Sequence, residues 1–125
     1  MKKKVIVIGK NSFISRNLYK YLKKKIKIKV ISYRDFIKQP KVEDVDYIIN
    51  CSSTREYVQE RYNSKYDLDL RISKKIINLK KCKLIFLSSR KIYKPSNNIK
   101  ESGKILPKEN YCKNKYISEK KLVRV

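Results

Sequence analysis

A tyrosine and a lysine four residues apart, Tyr111 and Lys115, are the pair in this sequence best suited to moving a proton. On a helix, positions i and i+4 stand one turn apart on the same face. A lysine so placed can lower the tyrosine pKa from its usual value of about 10, and it can also hold a ribose hydroxyl. The tyrosine can then exchange a proton with a carbinol or carbonyl while hydride moves to or from a nicotinamide. Spacing alone does not single the pair out, because Tyr19/Lys23, Tyr21/Lys25 and Tyr116/Lys120 repeat it. Context does: only Tyr111 follows an apolar run ending in Ser88-Ser89 and then a long polar segment. A serine at the carboxyl end of a parallel strand sits where ligands bind in such sheets, so Ser89 can donate to the oxygen that Tyr111 protonates. In isolation Ser88-Ser89 also reads as a strand end capping its own turn.

A second place for chemistry is the turn Gly9-Lys10-Asn11-Ser12-Phe13-Ile14-Ser15. A strand–loop–helix junction offers backbone N–H groups and a positive helix end to a pyrophosphate. Glycine lets the backbone come close to the phosphates. Here Gly9 stands first, with Ser12 and Ser15 where a Gly-x-x-Gly-x-x-Gly pattern has its other glycines; an ordinary turn capped by Asn11 or Ser12 is the alternative. The third is Ser32-Tyr33-Arg34-Asp35, at the expected tip of the second strand, where a dinucleotide ribose would lie. Ser32 and Arg34 suit the 2′-phosphate of NADP and tilt the reading that way. Asp35 in the same register would favour the 2′-hydroxyl of NAD, and a solvated loop is the remaining reading.

These residues need a scaffold, and the hydrophobic pattern supplies one. The runs 3–8, 26–32, 45–51 and 83–89 are short and β-branched, as expected of strands. Between them, Phe13, Ile14, Leu18, Tyr21 and Leu22 recur at helical spacing to about Lys25, and Leu68, Ile72, Ile76 and Leu79 do so within 64–79. Residues 95–107 read as loop and 110–125 as a helix. Strands alternating with helices indicate βαβ crossovers and a parallel sheet, so the fold class is α/β, a single domain over 1–125.

Composition narrows the partners. The formal charge is +23, yet the lysines are spread along the whole chain rather than gathered in one arm. Lys, Ile, Asn and Tyr abound while Ala, His and Trp are missing, the usage expected of AT-rich codons. That pattern argues against selected nucleic-acid binding and leaves attraction of anionic small ligands. No run of about 18 apolar residues is present to span a membrane, and Val5 to Ile8 is too short for a signal peptide. Cys51, Cys82 and Cys112 are odd in number, widely spaced and without histidine, so they read as reduced thiols of a cytoplasmic protein with no metal site.

Taken together, the segments resemble the extended short-chain dehydrogenase/reductase family, the NAD-dependent epimerase/dehydratase group. Lys3 through Ser15 is similar to its opening strand and GxxGFIG loop. Asp46-Tyr47-Ile48-Ile49-Asn50-Cys51-Ser52-Ser53 resembles the strand beneath the cofactor, and Tyr66-Asp67-Leu68-Asp69-Leu70 resembles the Y-x-x-N-V helix start. Lys83 to Tyr93 resembles SS-x-x-V-Y-G, while Glu101, Pro107, Tyr111, Lys115 and Glu119 follow in the family's order. The resemblance implies a Rossmann-type sheet with flanking helices. It also implies an NAD(P)-dependent reductase, epimerase or dehydratase acting on a nucleotide-sugar substrate. Tyr111 would be the acid/base, Lys115 its pKa-lowering and ribose-binding partner, and Ser89 the residue orienting the substrate oxygen. Gly9, Asn11, Ser12, Phe13 and Ile14 would line the pyrophosphate, with Ser32, Arg34, Cys51, Ser52 and Ser53 on the adenosine side. The departures are Ser12 and Ser15 for glycines, Asp69 for asparagine, Lys94 for glycine and Asn114 for a small residue. Family members are longer, so the resemblance implies a truncated sheet without the C-terminal substrate lobe. A second chain completing the fold and a non-catalytic dinucleotide-binding protein are the alternatives.

Overall fold

The computed structural model describes residues 2–88, 105, 107 and 109–124. The chain divides into two compact units, one formed by Met1–Ser52 with Arg71–Leu87 and the other by Ser53–Leu70 with Ser88–Val125.

The first unit is a parallel sheet of β1 (Lys4–Ile8), β2 (Lys27–Ile31), β3 (Tyr47–Asn50) and β4 (Lys83–Ile85) in the order β2-β1-β3-β4. In register, Val7 of β1 lies against Val30 of β2 on one side and Ile49 of β3 on the other. The alternation of β1 explains its central place. Ile6 and Ile8 enter a core with Phe36, Val42, Val45, Ile48, Ile72 and Ile76, while Val5 and Val7 enter the opposite core with Ile49 and Leu18. Side chains two apart share a face, so one strand serves two cores. Full burial of each such side chain contributes about 1.5–3 kcal/mol. This is the Rossmann-like α/β arrangement expected from the sequence.

Helix α1 (Phe13–Leu22) follows β1 and α2 (Tyr33–Lys38) follows β2. The six-residue α2 is not evident from hydrophobic period, yet its signals are local. The Ser32 hydroxyl accepts the Asp35 N–H at 3.2 Å, Phe36 is fully buried, and Gln39 before Pro40 turns extended. The strands are shorter than their apolar runs. β4 closes at Ile85, three residues before Ser88.

The second unit contains α3 (Arg55–Gln59), a 3₁₀ turn (Ser64–Tyr66) and α5 (Asn110–Arg124); α4 (Leu68–Ile76) runs through the division. The helix expected over 64–79 is broken at Asp67, whose backbone is extended. Its carboxylate accepts the Leu70 N–H at 3.1 Å and so starts a fresh helix. Among the described residues, no helix is long and apolar enough to cross a membrane.

Candidate functional site

In the first unit the site forms where the strand order reverses. Strand β1 pairs with β2 on one side and with β3 on the other, so the carboxyl ends of β1 and β3 flank the switch point at which ligands bind in open α/β sheets. Gly9 leaves β1 with φ +114, a conformation that L side chains rarely adopt. A Cβ on Gly9 would lie 3.0 Å from both the Cys51 carbonyl carbon and the Ser52 nitrogen. Glycine is therefore favoured here by its backbone angle, and the tight approach of the Cys51–Ser52 backbone adds to the preference.

The turn is tied from within. The Ser12 N–H donates to the Gly9 carbonyl at 3.0 Å. The fully buried Ser15 hydroxyl donates to the Gly9 and Ser12 carbonyls. Ser15 thus turns its hydroxyl into the turn. Ser12 caps α1 with no side-chain bond, leaving its hydroxyl unclaimed by the helix. Phe13 and Ile14 are exposed at 76% and 49%, apolar groups standing in solvent beside the first-turn N–H groups of α1. Across the switch point, the buried Asn50 amide accepts the Ser52 N–H at 2.9 Å and also bonds the Ser52 hydroxyl, fixing the chain after β3.

Gly9, Ser12, Cys51 and Ser52 are thus gathered at one sheet end. Asn11 is exposed beside them, and Ser32 and Arg34 belong to α2, with the Ser32 hydroxyl engaged as its cap and Arg34 exposed. Ser53 is exposed and belongs to the second unit. Ser89, Tyr93, Lys94 and Glu101 lie outside the described residues, as does most of the segment 95–107.

In the second unit α5 carries Tyr111 and Lys115 on adjacent turns. The Lys115 ammonium lies 3.7 Å from an Asp69 carboxylate oxygen, with the two side chains only 7% and 5% exposed. It stands 5.6 Å from the ring centroids of both Tyr111 and Tyr57, which meet edge to face at 6.1 Å. The expectation that Lys115 lowers the Tyr111 pKa is not met. Burial pushes the Tyr111 hydroxyl above its ordinary value, and the Asp69 charge and Cys112 push it the same way. The physical reason is first desolvation, which disfavours the tyrosinate, and then the Asp69 charge, which stands against that of the lysine.

A second set of buried polar groups packs around this pair. The Asp67 carboxylate accepts from the Tyr62 hydroxyl at 2.7 Å and the Ser118 hydroxyl at 2.7 Å, and Ser118 bonds the Tyr57 hydroxyl at 2.6 Å. Burial raises the pKa of Tyr57 and of Tyr62. The Asn114 amide donates to the Tyr57 and Glu60 carbonyls at 2.7 and 2.8 Å, stitching α5 to the carboxyl end of α3. Those two bonds account for a large polar residue at position 114. The sequence reading missed Tyr57, Asp67 and Ser118. The available signal was Asp67-x-Asp69, two carboxylates close together and opening an apolar helix in a chain with 34 basic and 11 acidic residues.

Among the described residues, no group of three or more His, Cys, Asp or Glu could hold a metal ion. No protein-family model matches the sequence, and no curated protein does. Solved structures are similar in fold. A dTDP-4-dehydrorhamnose reductase from Clostridium acetobutylicum superposes with a TM-score of 0.72 at 17% identity, over 97% of this chain and 49% of its own. A UDP-N-acetylglucosamine 4-epimerase from Methanobrevibacter ruminantium does so with a TM-score of 0.74 at 22% identity, over 99% and 51%. WbmG from Bordetella bronchiseptica, in complex with NAD and UDP, gives 0.69 at 11% identity, over 98% and 50%. The chain spans about half the length of the structures it matches.

Proposed function

We propose that this chain binds a nicotinamide dinucleotide and supplies the acid–base residues for hydride transfer at the carbonyl of a nucleotide-activated sugar. The observation that carries the reading is Gly9: a positive φ and a 3.0 Å approach to the Cys51–Ser52 backbone, at the switch point of a parallel sheet. A glycine turn packed this tightly against the neighbouring strand end is the backbone form of a dinucleotide-binding βα junction, where glycine permits the tight turn into a helix start open to a pyrophosphate. The residues present fit the group: the first-turn N–H groups of α1 for phosphate oxygens, the Ser12 hydroxyl as a further donor, and exposed Phe13 and Ile14 as apolar cover.

The dinucleotide, when bound, supplies hydride chemistry. The chain's own residues do the rest. Tyr111, held protonated by burial, acts as an acid toward a carbonyl oxygen, and Lys115 holds a ribose hydroxyl. Ser89 orients the substrate oxygen, by the family resemblance. NAD is the first cofactor to test, since WbmG is described with it and the Ser32 hydroxyl is engaged within its own helix. The nucleotide-sugar assignment rests on what the similar structures act on.

Fluorescence titration with NADH and NADPH tests the reading. Saturable binding of either that survives physiological salt supports it. No binding of either at millimolar concentration removes it. A non-catalytic dinucleotide-binding protein is the second reading, favoured by the Asp69 charge that opposes the influence of Lys115 on Tyr111. It is distinguished by turnover that is absent although the cofactor binds.

A further inference from the structure

We propose that Asp69 is the positioning residue of the Tyr111 site: its carboxylate holds the Lys115 ammonium between the Tyr111 and Tyr57 rings and thereby governs the titration of Tyr111. The role of Tyr111 as an acid rests on the function proposed above, whereas the pairing itself does not.

Three observations carry this. First, the pair is buried, with 7% and 5% of the side chains exposed, so neither charge is screened by solvent as a surface pair is. Second, the nearby Asp67 carboxylate already accepts two hydroxyls and the Leu70 N–H, whereas Asp69 makes the ion pair with Lys115. Third, Asp69 sits in the first turn of α4, where the helix dipole favours a negative charge, so the carboxylate is held from its own side as well. Among the described residues, the groups facing Tyr111 include Asp69 from α4, Tyr57 from α3, and Cys112 and Lys115 from its own helix. Of these Lys115 favours the tyrosinate and Asp69 opposes it. An asparagine at position 69 keeps the shape and an acceptor oxygen but removes the negative charge 3.7 Å from the lysine. The tyrosinate is then less strongly opposed, and Tyr111 releases its proton more readily although burial still raises its pKa.

The experiment is an alkaline titration of the full chain labelled with ring-¹³C tyrosine, with Tyr111 assigned through Tyr111→Phe. In Asp69→Asn the Tyr111 step is expected to begin at lower pH than in the unmutated chain, and Asp69→Glu is expected to restore it. A Tyr111 step that stays in place, or moves upward, in Asp69→Asn overturns the proposal. Should Asp69→Asn fail to fold, the unmutated chain decides. The Asp69 carboxyl ¹³C resonance is expected to move in the same step as the Tyr111 ring, and an Asp69 signal that ignores that step overturns it. No cofactor enters the titration, so a chain that binds no dinucleotide would remove the proposed function and leave this result standing.

Discussion

The two units hold their candidate chemistry in different ways. At the Gly9 turn the groups offered to a ligand are main-chain N–H groups, and the sequence matters chiefly through what it leaves out, a Cβ at one position. At the Tyr111–Lys115 turn everything depends on side-chain charge, with a lysine and a carboxylate 3.7 Å apart in a nearly dry setting. The difference teaches where substitution is tolerated. The first site accommodates a serine at position 15 because its hydroxyl bonds back to two carbonyls of the turn. The second sets two opposite charges side by side out of solvent, so a change at either alters the field around its neighbours.

The largest effect expected is on the charged site. Lys115→Met takes the opposite charge away from the buried Asp69 carboxylate, so unfolding free energy measured by urea denaturation should fall by about 3–5 kcal/mol. Pairing it with Asp69→Leu should recover most of that loss, since replacing both buried charges by apolar groups is often neutral. Equal losses in the single and double variants would break the comparison.

Gly9→Val tests the backbone site. Its positive φ and the 3.0 Å contacts should destabilise the first unit by about 1–3 kcal/mol, read by urea denaturation. Dinucleotide affinity should drop at least about tenfold, a change worth roughly 1.4 kcal/mol. Ser15→Ala sharpens the point. It should lower stability by about 1 kcal/mol through the lost hydroxyl bonds while leaving dinucleotide affinity unchanged, because that hydroxyl faces the turn and not a ligand.

The smallest effect near neutrality, in fact none, comes from the tyrosines. Tyr57, Tyr62 and Tyr111 hold their protons more tightly folded than at their ordinary value of 10.0. A group whose folded pKa is raised gives stability that is fully present below the unfolded pKa and lost as pH rises through the folded one. The urea midpoint should therefore be insensitive to these residues below about pH 10 and decline above it. Tyr57→Phe should make that decline shallower.

How much of this was legible in the sequence follows from range. The strands were readable because Val5 to Ile8, Ile48 and Ile49 announce themselves through β-branching within a few residues. So was Gly9, since a glycine closing such a strand has a known use. Helices α2 and α3 escaped because six and five residues are too few for a period, although Ser32 and Thr54 cap them by accepting the Asp35 and Tyr57 N–H groups. The Asp69–Lys115 pair could not be read at all. Its members are 46 positions apart, and nothing local to Tyr111 says that the lysine beside it has a counter-charge.

The central claim is that the end of the sheet at Gly9 receives a dinucleotide. It is tested most directly by following the backbone amide resonances of the ¹⁵N-labelled chain while NAD is added at physiological salt. The account expects saturable shifts of Gly9, Ser12, Phe13, Cys51 and Ser52. Amides at those five positions that stay still, with shifts scattered only over the lysine-rich surface, would contradict it.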